Sequence, residues 1–364
     1  MKLKEITKVL ENFAPLALQE DFDNAGLLVG NANAEISGAL LCVDVTENVI
    51  DEAIEFGFNL IIAHHPLIFK GLKKILGKNY IERCILKAIK NDIAIYAAHT
   101  NFDSVKNGVS YKMAEKIGLK DLKILSPKEN VLVKIATFVP AEFAENVRVA
   151  VCKAGAGHIG NYDYCTFSTS GKGTFRALDG ANPFLGELHK LNTENEIKLE
   201  FVLPAYLVDN VVVALKDAHP YEEAAVDIFP LKNIWENVGL GVVGTLPKPM
   251  KEEEFLNYIK EIFDVGAIKH SKFLEKNISK VALCGGSGAD FINDAKRCGA
   301  DIYVTADVSY HRFFEAENLL VIADIGHFES EQFAKEIFYE QIIKNFPNFA
   351  VQFSKKEKNV IEYF

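Results

Sequence analysis

Cysteine pairs, long apolar runs and basic clusters are all missing from this chain of 364 residues. The cysteines Cys42, Cys84, Cys152, Cys165, Cys284 and Cys298 are scattered, and no two form C-x-x-C. That excludes the common structural zinc and dithiol motifs. Cys42 and Cys284 fall inside apolar runs and are expected to be small hydrophobes in a core. No run approaches the ~20 apolar residues that a membrane-spanning helix requires. The opening stretch, MKLKEITKVLENFAP, is charged throughout and has no apolar centre, so a secretory signal is not expected. A reduced, cytoplasmic location is the expectation. With a net charge of −10 and no Lys/Arg run interleaved with aromatics, nucleic acid is not an expected partner and neither is a membrane. Methionine (3) and tryptophan (1) are rare beside 26 Phe, so ordinary aliphatic and aromatic cores are expected.

Three stretches can be separated. Residues 1–127 alternate short apolar runs, GALLCV (38–43), NLIIA (59–63) and IAIYAA (93–98), with amphipathic patterns over about 47–56, 79–90 and 109–117. Continuous runs of this kind suit strands buried on both faces. Thr46 is the expected N-cap of the first helix, and Gly118 the expected stop of the third. Residues 233–364 resume the rhythm with VALC (281–284), DIYVT (301–305), LLVIAD (319–324), FAVQF (349–353) and a long helix over about 330–344.

The middle stretch, 128–232, holds an internal repeat. FVPAEFAENVRVAV (138–151) aligns with VLPAYLVDNVVVAL (202–215) at an offset of 64 positions. Each copy reads strand, Pro-Ala turn, helix, strand, with a polar loop at 190–196 joining the two. Two such units make the ferredoxin-like pattern. The expected fold is therefore α/β: a three-layer α-β-α outer domain formed by both chain ends, 1–127 plus 233–364, with an inserted ferredoxin-like α+β domain at 128–232. Three consecutive domains is the less economical alternative.

Chemistry-bearing residues cluster where apolar runs end. NLIIA runs into His64-His65-Pro66, IAIYAA into His99-Thr100-Asn101-Phe102-Asp103, and LLVIAD into Gly326-His327-Phe328-Glu329-Ser330-Glu331. Ligand sites of open α/β sheets lie at the carboxyl ends of strands. His327 and Glu331, four apart, share one face if a helix begins there. Any one of these residues alone would more often be an ordinary turn or loop residue. The joint pattern, His64, His65, Asp103, His327 and Glu331, points to two divalent metal ions side by side. Nitrogen and oxygen ligands without a thiolate suit zinc, manganese, iron or cobalt.

Five ordered motifs, DNAGLLVG (23–30), AHHPLIF (63–69), HTNFD (99–103), GGSG (285–288) and GHFESE (326–331), together resemble the GTP cyclohydrolase 1 type 2 family. It is also called the NIF-three-like dinuclear-metal hexamer family. The resemblance spans both outer stretches, and the insert, with HPYEEAAVDIF (219–229), looks like the PII/CutA-like domain of longer members. By that resemblance His64, His65 and Asp103 reach two metals, zinc foremost, from one side. His327 and Glu331 approach from the other, with Glu331 bridging. The resemblance further implies a homohexameric toroid capped by the insert. The activity it implies is opening of the guanine imidazole ring of GTP by metal-activated water, with a nucleotide as the small-molecule substrate. A phosphoesterase using the same two ions is a sibling reading. A non-catalytic metal-binding scaffold or metal buffer is the reading of a different class.

Around this set, Asp307 and His311 are expected to orient ligands or relay protons alongside Glu331, though a solvated turn explains them as well. Asn24, with Asp23, and His99 are candidates to line a substrate site. Gly285, Gly286, Ser287 and Gly288 lie between a strand and a helix. They offer either an anion site or, more simply, a tight turn. Gly239 to Gly244 match G-x-G-x-x-G, but prolines follow instead of a helix, so no dinucleotide site is expected. His219-Pro220-Tyr221-Glu222 is read as a turn ahead of a strand in preference to an effector site.

Overall fold

The computed structural model describes residues 1–363. It divides into two compact units, one made of Met1–Pro127 with the described residues from Glu236 onward, the other of Lys128–Trp235. The first unit is mixed α/β. One of its sheets has the strand order Gly26–Val29, Ala94–Ala97, Leu60–Ala63, Ala39–Cys42, Val351–Phe353. The three central strands are parallel and buried along their whole length, as their unbroken apolar composition demands. Helices Glu47–Phe56 and Tyr80–Lys90 cover one face, setting Val49, Ala53, Ile85 and Ala88 against Leu40, Ile61 and Ile95. The first of these helices is capped by Thr46, whose hydroxyl accepts from the Val49 amide at 3.3 Å. Helix Ala334–Asn345 packs on strand Ala39–Cys42 from the other face.

A second sheet carries the order Lys269–His270, Val321–Asp324, Ile302–Thr305, Asn277–Leu283, Trp235–Lys251, Lys120–Lys128. Its strands Asn277–Leu283, Ile302–Thr305 and Val321–Asp324 are again parallel. Helices Val109–Ile117 and Glu252–Ile262 bury Met113, Ile117, Phe255 and Ile259 against one face. Helix Ile292–Arg297 closes the other. Helices Val109–Ile117 and Ala334–Asn345 touch each other between the sheets. The expected three layers around one sheet are thus corrected to alternating helix and sheet layers around two. The extra strands, KDLKILSPK and WENVGLGVVGTLPKPMK, are too charged or too rich in Gly and Pro to read as strands by pattern. The Gly239 to Gly244 motif lies inside the second of them.

The long helix expected over 330–344 is two helices, His327–Glu331 and Ala334–Asn345. Between them the Gln332 side-chain amide donates to the Glu329 carbonyl at 3.1 Å and to the Phe263 carbonyl at 2.8 Å. The first of these takes an acceptor that the next helical amide would otherwise use.

The second unit is a four-stranded antiparallel sheet in the order Thr166–Phe175, Asn192–Pro204, Leu132–Pro140, Val226–Leu231. Helices Ala144–Lys153 and Val208–Ala218 pack Val147, Val151, Val211 and Leu215 on Leu199 and Phe201. Both repeat copies lead through Pro-Ala into a short 3-10 turn and then a helix. Segment 190–196, expected as a polar loop, is mostly strand: residues from Asn192 alternate half-buried and exposed and pair with Thr166–Phe175. His219 is buried; it bonds the Phe138 carbonyl through Nε2 at 3.0 Å, and its Nδ1 accepts from the Tyr221 amide at 3.1 Å. Both ring nitrogens therefore serve the turn.

Candidate metal centre

The parallel strands of the two sheets of the first unit run into one cluster of side chains at their carboxyl ends. Past Ala63 the ladder continues, with the His64 amide donating to the Cys42 carbonyl at 3.1 Å and the His65 amide to the Val43 carbonyl at 2.9 Å. These bonds fix the backbone under both histidines. Beyond strand Ala94–Ala97, the short helix Thr100–Asp103 is anchored by Asn101, whose side chain accepts from the His99 amide at 3.0 Å and donates to the Ala14 carbonyl at 2.7 Å. From the second sheet, strand Val321–Asp324 leads into helix His327–Glu331, which brings His327 Nε2 within 3.0 Å of Glu331 Oε2.

Two trios share one carboxylate. His64 Nε2 lies 3.6 Å from Glu331 Oε1 and 3.8 Å from Asp103 Oδ1. His65 Nε2 lies 2.8 Å from Glu331 Oε2 and 3.2 Å from His327 Nε2. Among the described residues, each trio has ligand atoms within 4.8 Å of one another, as does the set His64, His65 and His99.

The tautomers decide what these atoms can do. His64 Nδ1 faces the Ala98 carbonyl at 2.8 Å, which only accepts, so Nδ1 carries the proton. Nε2 is then the ring atom left to bind a cation, and it faces two carboxylates. His64 Nε2 and Asp103 Oδ1 are buried without a hydrogen-bond partner, and a separation of 3.6–3.8 Å is too long for one. Such orphaned groups are costly unless a cation joins them. Ligand atoms each about 2 Å from a common ion lie roughly 3–4 Å apart, which this trio matches. His65 Nδ1 donates to Asp44 at 2.9 Å and His327 Nδ1 to Asp307 at 2.6 Å, the carboxylate–histidine arrangement that metal-binding imidazoles favour.

Electrostatics agree. Burial opposes charge on His65, yet Asp44 and Glu331 push its pKa up to about 10. Burial likewise opposes charge on His327, and Asp307 with Glu331 raise it to about 11. Burial also works against Glu331, but His64, His327 and His65 hold it well below the usual carboxylate range. Burial pushes Asp103 up. In the metal-free chain, protons fill places where a divalent cation would neutralise the same acids.

The turn Gly285–Gly288 serves this cluster by leaving room. Gly286 has φ +63°, and a Cβ there would lie 2.1 Å from Glu331 Oε1. The amides of Gly285, Gly286 and Gly288 are spent on the hydroxyls of Ser110, Ser330 and Thr305. That supports the tight turn over an anion site. Ser287 bonds Asp307. His99 stands beside His64 and His65, its Nδ1 held by Asp23 at 2.7 Å. Asn24 donates to the Ile68 carbonyl at 2.5 Å, bracing the loop after His-His-Pro. His311 is not brought to the cluster: its ring packs on Tyr310 and Phe314. Asp307 is in the left-handed region at φ +55°, and the 3-10 turn begins only at Tyr310, so the four-residue spacing never becomes a helical face. Asp44, which orients His65, was missed. Its signal was position: it follows GALLCV as His64 follows NLIIA.

The sequence model of the Duf34/NIF3 (NGG1p interacting factor 3) family matches residues 1–360. The chain belongs to the Duf34/NIF3 family. Relatives named GTP cyclohydrolase 1 type 2 homolog occur in Halalkalibacterium halodurans, 45% identical over 324 residues covering 88% of this chain and 87% of the relative, and in Bacillus subtilis, 43% identical over 335 residues covering 92% and 90%. The crystal structure of a Bacillus cereus protein related to NIF3 superposes with a TM-score of 0.85 at 40% identity, covering 100% of this chain and 99% of that one. Among the described residues, no helix is long and apolar enough to cross a membrane.

Proposed function

We propose that this Duf34/NIF3 protein holds two divalent metal ions, one through His64, Asp103 and Glu331 and the other through His65, His327 and Glu331, and acts as a metal-dependent hydrolase. The observation that carries this reading is the buried, partnerless pair His64 Nε2 and Asp103 Oδ1 facing Glu331. Zinc suits this ligand set best, with manganese, iron or cobalt as alternatives. When bound, the ions supply a Lewis acid and lower the pKa of water toward ~7.

The chain's own residues do the rest. Glu331 offers one oxygen to each trio. Asp44 and Asp307 fix the tautomers of His65 and His327. His99, oriented by Asp23, stands where it can move a proton beside the two metal-facing histidines. The names carried by the relatives make the guanine ring of GTP the first substrate to try. The inserted unit is read as a ferredoxin-like domain, which its strand order and its two helices support.

The test is metal content of the untagged chain by mass spectrometry, followed by formate release from GTP. We expect about two ions per chain, falling on H65A. Absence of metal after incubation with zinc or manganese would overturn the site. Metal without turnover of GTP or phosphate esters would leave a binding protein and remove the hydrolase.

A further inference from the structure

We infer that Glu357, remote in sequence from every proposed ligand, is a positioning residue for the metal centre, acting through Asp44 on His65. The inference rests on the metal-binding reading above and assigns a task to a segment outside it. After strand Val351–Phe353 the chain turns across the carboxyl end of strand Ala39–Cys42, with the Ser354 amide on the Leu41 carbonyl at 2.8 Å. Glu52 anchors this turn, accepting from the Ser354 hydroxyl at 2.6 Å and the Lys355 amide at 2.9 Å. Glu357 then reaches inward. One of its oxygens accepts from the Val43 amide and from the Asp44 amide, the latter at 2.8 Å.

Those two residues are the ones that hold His65. The Val43 carbonyl receives the His65 amide at 2.9 Å, and the Asp44 carboxylate receives His65 Nδ1 at 2.9 Å. The other Glu357 oxygen pairs with Lys335 Nζ at 2.6 Å. Lys335 lies just beyond helix His327–Glu331, and its ammonium sits 5.7 Å from the Phe328 ring centroid. Two residues further along, Asn359 donates to Glu329 at 2.9 Å, on the same short helix. One segment therefore grips the carrier of His65 and the carrier of His327 and Glu331. The Glu357 side chain is only 2% exposed. A buried ion pair contributes little net stability against an apolar replacement, and fixing register is its best-attested use. Residues that orient metal-binding imidazoles typically govern affinity by 10–100-fold.

The test uses the full chain and Co(II) as probe, reading affinity by chelator competition and coordination by d–d absorption. E357A should bind Co(II) about 10-fold more weakly, with a shifted spectrum. E357Q keeps an oxygen for the two amides but loses the Lys335 pair, and should lose less affinity than E357A. D44A should weaken binding at least as much as E357A. The D44A/E357A double variant should be weaker than D44A by less than the loss E357A causes alone, because the Asp44 part of the path is shared while the Val43 part is not. If E357A does not fold, E357D replaces it: it keeps the charge but is one methylene too short to span both amides and Lys335, and the same loss is expected. A folded E357A or E357D with unchanged affinity and spectrum overturns the role, as do additive effects in the double variant. An unmodified chain that takes up no Co(II) would instead overturn the metal reading itself.

Discussion

Glu331 illustrates how much of this site rests on single atoms. Its approach depends on Gly286 having no side chain, since a Cβ would sit 2.1 Å from Oε1 and the backbone there is at φ +63°. G286A should therefore displace the carboxylate and lower metal affinity sharply while the fold survives. Chelator competition alongside circular dichroism checks this, and unchanged affinity would show that the carboxylate has another place to sit. The raised histidines set a second expectation, for the metal-free chain. His65 and His327 start from 6.5 and are raised to about 10 and about 11 by their carboxylate partners. A folded-state pKa above the unfolded value stabilises most below the unfolded value and loses that contribution as pH rises through the folded one. Melting temperature after chelator treatment should fall between about pH 7 and pH 10 on this account. Added zinc, which replaces those protons, should remove the decline. A chelator-treated chain with a flat profile over that range would contradict the assignment of protons to these two rings.

At the scale of elements, what could be read in the sequence was whatever local chemistry specifies. Runs such as NLIIA and LLVIAD suit strands buried on both faces, and helix Glu47–Phe56 announces itself through Thr46 and its apolar stripe. The five metal-competent residues were legible because three of these runs end in them. Strand Lys120–Lys128 was not, because its lysines and Pro127 give no period-two signal and its place comes from a partner more than a hundred residues away. Asp44 was overlooked because an acid before Thr46 looks like a turn or helix cap. Only the folded arrangement brings His65 to it. Asp307 and His311, expected together as orienting groups, part company: Asp307 meets His327, while His311 packs on Tyr310 and Phe314, because a left-handed residue at 307 and the turn after it separate them. Glu357 lay beyond sequence reasoning altogether, since its meaning depends on contacts with Val43 and Asp44, at sequence separations of 314 and 313.

For the whole molecule, the division into units implies that Lys128–Trp235 is dispensable for the fold of the first. The strands on either side of the insertion are neighbours in one sheet, and a Cβ on Gly239 would lie 2.2 Å from the Ser126 carbonyl. The flanking chain therefore already runs side by side, and a short Gly-Ser turn should close it. The shortened chain should fold and take up the same number of metal ions, measured by circular dichroism and mass spectrometry. An unfolded product would show that the first unit needs the second. The strap formed by residues 354–359 also has a consequence in time. Strand Ala39–Cys42 is made early, yet its neighbour Val351–Phe353 and the Glu357 bond to Val43 come some 314 residues later. At ~5–20 residues per second that delay is roughly 15–60 s on the ribosome. Until then one side of the strand is an open edge, and His65 lacks its backing. A growing chain can form most of its helices and strands, but it acquires a finished metal cradle only once residue 357 has emerged, so metal loading reports on whether that segment has been made and has found strand Ala39–Cys42.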